Sequence, residues 1–242
     1  MDYCHWEIEQ TTSLEFIKYI KNKKSISDYR KHLYQIRKYL TYLGIDWAKN
    51  IKPPAEPMYY PKYISNDDID TTLKQFENNE YFLRFKALIS LGMDSGMRAE
   101  ELYQLMTEDI DLENRCVHIN HNPNNGQSTK TKHSRISYFT SNTRDILIEY
   151  LDYFSKNNNL TKLFPKRWIE VKFRVAPIRV KHLRKYFSQE WDRRGGPTSI
   201  KKILMGHSLK GDVDLMHYNA QSEDDLKKIY DKVMGEDGTI ET

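Results

Sequence analysis

The stretch Gly96-Met97-Arg98-Ala99-Glu100-Glu101-Leu102 places an arginine just after a glycine turn, at the start of a helical pattern. Four further settings follow along the chain: Lys130 in STKTKHSR, Arg184 in KHLRKYF, His207 in MGHS and Tyr218 in HYNA. Together they supply two guanidinium groups, one ammonium group, one imidazole and one phenol. Such a set can break a phosphodiester bond without a metal ion, so the order of these residues predicts phosphoryl-transfer chemistry on a nucleic acid.

Each of these groups suits one task of metal-free phosphodiester transfer. The reaction needs a nucleophile, positive charge on the non-bridging oxygens and a proton for the departing sugar oxygen. A phenol with a pKa of about 10 serves as nucleophile and as a good later leaving group. Arginine holds two phosphate oxygens at once, and lysine or histidine can release a proton near neutral pH. The chain has no Gly-x-x-x-x-Gly-Lys-Ser/Thr phosphate loop, so we expect no nucleotide, metal or other cofactor.

These settings resemble the tyrosine recombinase (integrase) family over about Tyr63 to Ala220, in a style closest to archaeal-virus integrases. In that family an arginine sits in Gly-x-Arg-x-x-Glu-Leu, as Arg98 does here. A lysine lies on a β-hairpin five residues before a basic residue, and a second arginine sits in a His-x-x-Arg setting. A Gly-His pair follows that arginine by 23 residues, and a tyrosine follows the pair. The matching residues here are Lys130 before Arg135, Arg184, His207 and Tyr218.

The resemblance implies a role for each of these residues. Tyr218 would attack a DNA phosphate and form a 3′-phosphotyrosine with release of a 5′-hydroxyl. Arg98 and Arg184 would hold the non-bridging oxygens, and Lys130 would protonate the departing 5′ oxygen. His207 would hydrogen-bond a phosphate oxygen or aid the proton transfer.

The chain departs from the family pattern beside the second arginine. The residue three before Arg184 is Lys181 where the family usually has histidine, and His182 is its neighbour. Lys181 could contact phosphate by charge as a further catalytic residue, while either side chain could fill the histidine's role. On the hairpin, Lys132 is the alternative to Lys130. Glu101, one helical turn from Arg98, is expected to orient an arginine.

Basic residues cluster in two parts of the chain. Between Lys18 and Lys38 there are eight against the single acid Asp28, and between Lys162 and Arg194 there are eleven against three acids. Such clusters suit a polyanion, although two solvated helix faces would give the same pattern. The residues expected to contact double-stranded DNA are Lys18, Lys21, Lys23, Lys24, Arg30, Lys31, Lys132, Arg135 and His182.

The predicted fold is mainly α, with a small three-stranded antiparallel β-sheet in a tyrosine recombinase-like catalytic domain. Residues 1–50 form a short helical module that would clamp DNA, and residues 51–62 form a proline-rich linker. The catalytic domain spans residues 63–242 and ends in a helix over 222–234. In the first module the spacing predicts a buried stripe of Ile26, Tyr29, Leu33, Ile36 and Leu40.

Within the catalytic domain, alternation predicts strands over 115–120 and 135–139, and helical patterns cover most of the remainder. The predicted helices begin at Ser65 and span 81–94, 99–106, 142–154, 178–193, 198–205 and 222–234. Cys116, His118 and His121 could suggest a metal site. Their alternating placement and the lack of a fourth nearby thiol argue against one, so no metal is expected.

The remaining expectations concern assembly and location. Two cysteines are too few for a disulfide framework, and no signal or membrane span is visible. We therefore expect an intracellular protein, cytoplasmic or nucleoid-associated, and in the host cell if it comes from a virus or mobile element. The resemblance implies a homotetramer on two DNA sites, with the last helix packed on a neighbouring subunit. That helix could equally fold back onto its own domain.

Two alternative functions share the same fold. One is a DNA-binding regulator without catalytic activity, which the lysine at position 181 and the short helical module favour. The other is a type IB topoisomerase, which would use the same chemistry for relaxation alone. The integrase-like settings favour recombination over both.

Overall fold

The computed structural model describes residues 9–58, 60–157, 162–207 and 222–235. The chain divides into two compact units, Met1–Lys62 and Tyr63–Thr242. Their boundary lies in the segment of residues 51–62, which contains four prolines. Within the described ranges, none of the helices combines the length and the apolar character that crossing a membrane requires.

The first unit is built on two helices, α1 (Gln10–Lys23) and α2 (Ile26–Tyr42), followed by a 3-10 turn over Asp46–Asn50. A small core joins α2 to the turn through Leu33, Leu40, Ala48 and Ile51. The predicted buried stripe is wrong at Ile26, whose side chain is 61% exposed. Ile26 is the first residue of α2 and lies beyond the part of the helix that this core covers.

The second unit holds most of the helices. They are α3 (Asn66–Phe76), α4 (Phe82–Ser95), α5 (Ala99–Tyr103), α6 (Ser141–Lys156), α7 (Lys166–Lys172), α8 (Val180–Arg193), α9 (Thr198–Met205) and α10 (Glu223–Met234). Ser65 begins α3 as predicted, through a capping box with Asp68. Helix α4 packs against both α6 and α8, and it is buried along most of its length, as expected of a helix that is apolar nearly all round.

A three-stranded antiparallel sheet lies beside these helices in the order β1 (Ile110–Asp111), β2 (Cys116–Ile119) and β3 (Arg135–Tyr138). The β1–β2 register pairs Asp111 with Cys116, and the β2–β3 register pairs Cys116 with Tyr138. The predicted fold class, mainly α with a small three-stranded sheet, is confirmed.

The structure corrects two details of the predicted elements. The helix expected over 99–106 ends at Tyr103 as α5, and a 3-10 turn over Thr107–Asp109 follows it. Asp109 holds that turn because its carboxylate accepts the backbone N–H of Met106 at 2.8 Å. Helix α7 was missed, since seven residues after Pro165 give too short a pattern to show helical periodicity.

Helix α10 packs on its own unit, the second of the two arrangements considered for it. Its buried residues Tyr230, Val233 and Met234 join an apolar cluster with Trp191 of α8 and residues of the sheet. The Tyr230 hydroxyl donates to the backbone oxygen of Asp94 at 3.0 Å. Polar contacts also hold α10 to the sheet: the Tyr138 hydroxyl donates to the Glu223 backbone oxygen at 2.7 Å, and Arg115 pairs with Asp231 at 2.8 Å.

Candidate active site

Arg98 lies at the junction between α4 and α5. Gly96 ends α4 in the left-handed region with φ of 62°, and a Cβ there would lie 2.4 Å from the Phe187 ring. This glycine therefore allows the sharp turn that presents Arg98. The half-buried Arg98 guanidinium donates to the Glu101 carboxylate at 2.9 Å and to the Gly206 backbone oxygen at 3.0 Å. It is fixed on two sides before any ligand is present.

Arg184 reaches the same place from α8. Its Nη1 donates to the backbone oxygens of Gly96 and Met205, each at 2.8 Å. These carbonyls belong to the C-terminal ends of α4 and α9, where the helix partial charge is negative. Burial, followed by the charges of Arg98 and Arg135, lowers the pKa of Arg184 to about 10. The side chain is still cationic at neutral pH.

His207 follows the glycine that ends α9. Gly206 adopts a left-handed φ of 64°, and its backbone N–H donates to the oxygen of Ile203 at 2.9 Å. The imidazole is exposed. Partial desolvation, then the charges of Arg184 and Arg98, lower the pKa of His207 below its ordinary value. The ring is therefore neutral at pH 7 and has both a donor and an acceptor nitrogen.

A buried carboxylate organises the arginines. Glu101 is 5% exposed, and it accepts the backbone N–H of Arg98 at 2.7 Å and two hydrogen bonds from Arg135 at 3.0 and 2.7 Å. Burial opposes the charged carboxylate, but the hydrogen bonds and charges of Arg135 and Arg98 outweigh it, so the pKa of Glu101 lies below its ordinary value. Glu101 thus binds two guanidinium groups at once.

Arg135 was assigned to DNA contact from the sequence, and the structure places it inside this network. Besides Glu101, its Nε donates to the Leu204 backbone oxygen at 2.9 Å, and its side chain is 9% exposed. A Cβ on Gly206 would lie 2.8 Å from the Arg135 side chain. The link between Arg135, Glu101 and the end of α9 was missed because these partners lie far apart in sequence.

The two hairpin lysines precede β3. Lys130 and Lys132 are exposed in the turn, and Lys132 has a left-handed φ of 58°. Its backbone N–H donates to the Thr129 oxygen at 3.1 Å, and the Thr129 hydroxyl donates to the His133 oxygen at 3.0 Å. Since Arg135 opens β3, the strand that follows this turn begins at the arginine network.

The other candidates differ in whether their side chains already have a structural role. Lys181 is exposed in the first turn of α8. The neighbouring His182 uses its Nδ1 to accept the Arg179 backbone N–H at 3.2 Å, which caps that helix. Tyr218 lies outside the described residues.

In the first unit, the predicted DNA-contacting lysines are exposed on α1, α2 and the residue that joins them: Lys18, Lys21, Lys23, Lys24 and Lys31. Arg30 differs, because it donates to the Pro54 backbone oxygen at 3.2 Å and pairs with Glu56 at 3.2 Å. The lysines therefore present their charges at the surface, with Lys31 lying 3.8 Å from the Asp28 carboxylate, whereas Arg30 ties α2 to the proline-containing segment.

The arrangement can bind and polarise a phosphate. Three cationic side chains, Arg98, Arg135 and Arg184, surround one carboxylate, and a neutral imidazole lies beside them. Arginine forks suit the non-bridging oxygens of a phosphodiester, and an imidazole can donate to one of them. Among the described residues, the group whose donors could hold a metal ion is Asp111, Cys116 and His118, none of which takes part in these contacts.

The comparisons with known proteins agree with this chemistry. The sequence pattern of the phage integrase family matches residues 62–210. A probable integrase/recombinase of Acholeplasma phage L2 is 23% identical over 93% of this chain and 73% of its own length. Tyrosine recombinase XerA of Saccharolobus solfataricus is 27% identical over 54% of this chain, and the match spans only 40% of the length of that protein.

Solved structures share the fold at low sequence identity. The Tn1549 transposon integrase, solved with a circular intermediate DNA, has a TM-score of 0.59 at 12% identity, over 88% of this chain and 82% of its own. The XerH site-specific recombinase, solved on palindromic difH substrate in a post-cleavage complex, has a TM-score of 0.56 at 18% identity, over 93% of this chain and 72% of its own.

Proposed function

The chain belongs to the phage integrase family of tyrosine recombinases, and from this premise we propose that it is a site-specific DNA recombinase. The Tyr218 oxygen attacks a DNA phosphate, a 3′-phosphotyrosine bond forms, and the bond to the 5′ oxygen breaks as that oxygen takes up a proton. In the reverse step a 5′-hydroxyl attacks the phosphotyrosine and releases the phenol. Because the protein ester conserves the bond energy, neither a metal ion nor ATP is required.

The observation that carries this proposal is the convergence of Arg98, Arg184 and His207. They come from three separate elements but lie together at the C-terminal ends of α4 and α9. The two arginines donate hydrogen bonds to backbone oxygens there, and their charges lower the pKa of His207. Fixed cationic donors directed at a phosphate stabilise the charge that develops in the transition state, with little reorganisation. In the described part of the chain, Arg184 donates hydrogen bonds to two backbone oxygens and to no carboxylate.

In this proposal each remaining candidate has one task. Arg98 and Arg184 hold the non-bridging oxygens, and the neutral His207 donates to one of them or aids proton transfer. Lys130, exposed on the hairpin turn, protonates the departing 5′ oxygen, and Lys132 is the alternative for that role. Lys181 contributes charge near the phosphate, because a lysine exchanges a proton less readily than the imidazole that the family usually has there.

The proposal extends to DNA binding and assembly. We infer that the exposed lysines of the first unit contact the DNA backbone, so that this unit acts as a clamp. The XerH structure, solved on difH substrate, and the Tn1549 integrase structure, solved with DNA, support DNA as the substrate. The active assembly is a homotetramer on two DNA sites, and the protein works where such DNA lies, inside the cell. In the single chain, α10 packs on its own unit. In the assembly, we propose that α10 packs on a neighbouring subunit instead.

A plasmid assay tests the chemistry without knowledge of the target site. Supercoiled plasmid is incubated with protein in EDTA and quenched with SDS, and covalent adducts and relaxed topoisomers are then measured. Tyr218→Phe should lose both products, because it removes the attacking oxygen, and should bind DNA as the wild type does. Tyr19→Phe, at an exposed tyrosine of α1, is the matched control and should retain both products.

Three results would contradict the assignment. Tyr218→Phe could lose DNA binding in parallel with cleavage, which would give Tyr218 a structural role. EDTA could abolish the activity and Mg²⁺ restore it, which would indicate a metal nuclease. Binding without adducts, on plasmids carrying the element's own integration site as well, would favour a regulator without catalytic activity.

A further inference from the structure

Three side chains with metal-ligating atoms meet on one face of the sheet. The register pairs Asp111 of β1 with Cys116 of β2, and His118, two residues further along β2, points to the same face as Cys116. The donor atoms of all three lie within 4.8 Å of one another. The Cys116 Sγ and the His118 Nε2 are 3.9 Å apart. These residues take no part in the proposed reaction.

The spacing is close to that of a zinc site. With Zn–S of about 2.3 Å and Zn–N of about 2.0–2.1 Å, a tetrahedral ion separates the sulfur from the nitrogen by roughly 3.6 Å. The observed 3.9 Å is near this value. All three donor atoms lie within 4.8 Å of one another, at most about 1.2 Å beyond this value, a gap that small side-chain rotations can close. The three donors therefore need little movement to share one ion.

The surroundings prepare the ligands in the way that metal sites commonly do. The Asp111 carboxylate accepts the backbone N–H and the side-chain amide of Asn114, at 2.9 and 2.7 Å. These contacts hold both oxygens of the carboxylate in place, as hydrogen bonds to a metal-ligating carboxylate commonly do. Cys116 is buried at 6% exposure, and His118 is half-buried. A buried thiol next to an imidazole and an oriented carboxylate differs from an exposed acidic cluster.

We propose that Asp111, Cys116 and His118 bind one zinc-class divalent cation, with water in the fourth position. The Cys116 thiol releases its proton to solvent as the metal–sulfur bond forms. From the sequence, no metal is expected, because Cys116, His118 and His121 alternate along a strand and no fourth thiol lies nearby. In the structure the His121 Nδ1 accepts the Thr129 backbone N–H at 3.1 Å, and the missing ligand comes from β1 instead.

The position of the site indicates a bracing role. Cys116 belongs to the apolar cluster that also contains Tyr230, Val233 and Met234 of α10. A cation here would join the two-residue strand β1 to β2 beneath the helix that follows Tyr218 in the chain. This inference stands independently of strand exchange, since it concerns the stability of the sheet.

Cobalt(II) titration of the purified full chain, stripped of metal beforehand, tests the site. We expect one equivalent to bind with a thiolate-to-cobalt charge-transfer band, and zinc to displace it. Cys116→Ser should lose the band, and Asp111→Asn should weaken cobalt binding at least about tenfold. Cys4→Ser removes the other cysteine of the chain. His121→Ala removes a nearby histidine that is not a ligand in the proposed site. Both control variants should bind cobalt as the wild type does.

Two further measurements distinguish loss of metal binding from loss of folding. Circular dichroism reports whether Cys116→Ser folds, and the more exposed Asp111→Asn gives an independent answer if it does not. Zinc should also raise the melting temperature of the wild type by more than that of Asp111→Asn, because a ligand that binds only the folded state stabilises it in proportion to the logarithm of its affinity. The proposal is overturned if the wild type shows no charge-transfer band, or if Cys4→Ser loses it while Cys116→Ser retains it.

Discussion

At the residue scale, Arg184 shows how the fold sets up its own chemistry. One nitrogen of its guanidinium is held by the Gly96 and Met205 backbone oxygens, and we propose that the rest of the fork binds an incoming phosphate. A lysine has a single ammonium group and cannot hold two carbonyls and two phosphate oxygens in one plane. The identity of the cation therefore matters here as much as its charge.

We predict that Arg184→Lys slows covalent adduct formation by about 100-fold or more, the usual loss when one fixed transition-state donor is removed. DNA affinity should change far less, because one positive charge is kept. Single-turnover adduct formation and fluorescence anisotropy measure the two quantities. Arg144→Lys is the matched control, since Arg144 pairs on the surface with Asp145, and it should react as the wild type does. Equal rates for the two variants would remove Arg184 from the mechanism.

Glu101 carries a pH-dependent share of the stability. Its pKa is lowered in the folded protein, so its contribution is complete above the ordinary value of about 4.3 and is lost as the pH falls through the folded value. We predict that Glu101→Gln lowers the free energy of unfolding by about 3 kcal/mol at pH 7. The gap to wild type should close in acid.

Urea unfolding at a series of pH values measures this gap. Glu100→Gln is the neighbouring control, because Glu100 and its partner Lys166 are about half exposed and such pairs contribute less than about 1 kcal/mol. A gap between wild type and Glu101→Gln that stays constant from neutral pH into acid would contradict the role given to this carboxylate.

The residue scale also shows what the sequence could and could not predict. Arg98, Arg184 and His207 could be found because local settings and one spacing of 23 residues mark them. The role of Arg135 could not, since it depends on Glu101, 34 residues away, and on a carbonyl of α9, 69 residues away. Sequence spacing located the groups that we propose to touch the phosphate, while the contacts that position them exist only in the folded chain.

At the scale of elements, α4 and α9 end in the same way. Each closes with a glycine in the left-handed region, Gly96 and Gly206, and each supplies backbone oxygens to an arginine. The ends of these two helices therefore decide where the cations lie.

We predict that Gly206→Ala damages both stability and adduct formation. An alanine with positive φ costs about 1 kcal/mol, and its Cβ would also displace the Arg135 side chain, which lies 2.8 Å from that position. Gly126→Ala isolates the first effect, because Gly126 has φ of 83° with nothing within 4 Å of its Cβ position. Chemical denaturation and the adduct assay should show the larger loss for Gly206→Ala. Matching losses would mean that Arg135 is free to move aside.

Element prediction failed where elements are shortest. Most helices could be located from periodicity and caps, such as Ser65 before α3. Strand β1 has two residues and α7 has seven, which is too few for a period to appear. Missing β1 had a chemical consequence, because Asp111 could not be placed beside Cys116.

At the scale of the whole molecule, the two units carry different kinds of positive charge. The second unit holds Arg98, Arg135 and Arg184 in a partly buried network, and the first unit presents lysines to solvent. Buried arginines give geometric control over one phosphate. Exposed lysines give affinity that depends on salt and not on sequence.

We predict that the double variant Lys23→Glu with Lys24→Glu weakens DNA binding and lowers the slope of log affinity against log salt by about 1.8, or about 0.9 for each lost phosphate contact. Binding isotherms over a range of salt concentrations measure the slope. The double variant Lys49→Glu with Lys52→Glu makes the same charge change elsewhere in the first unit, in residues not expected to contact DNA. If both variants lower the slope equally, net charge explains the binding and the clamp assignment fails.

The positive charges around Glu101 outnumber its one negative charge. Within the described ranges, Arg98, Arg135 and Arg184 bring three positive charges to the Glu101 carboxylate, which leaves an excess of two. Like charges kept together in a partly buried space repel one another, so the folded chain holds electrostatic tension while no phosphate is present. A phosphate that enters relieves that tension. Part of the free energy of DNA binding therefore comes from the release of a repulsion that is already present in the folded protein.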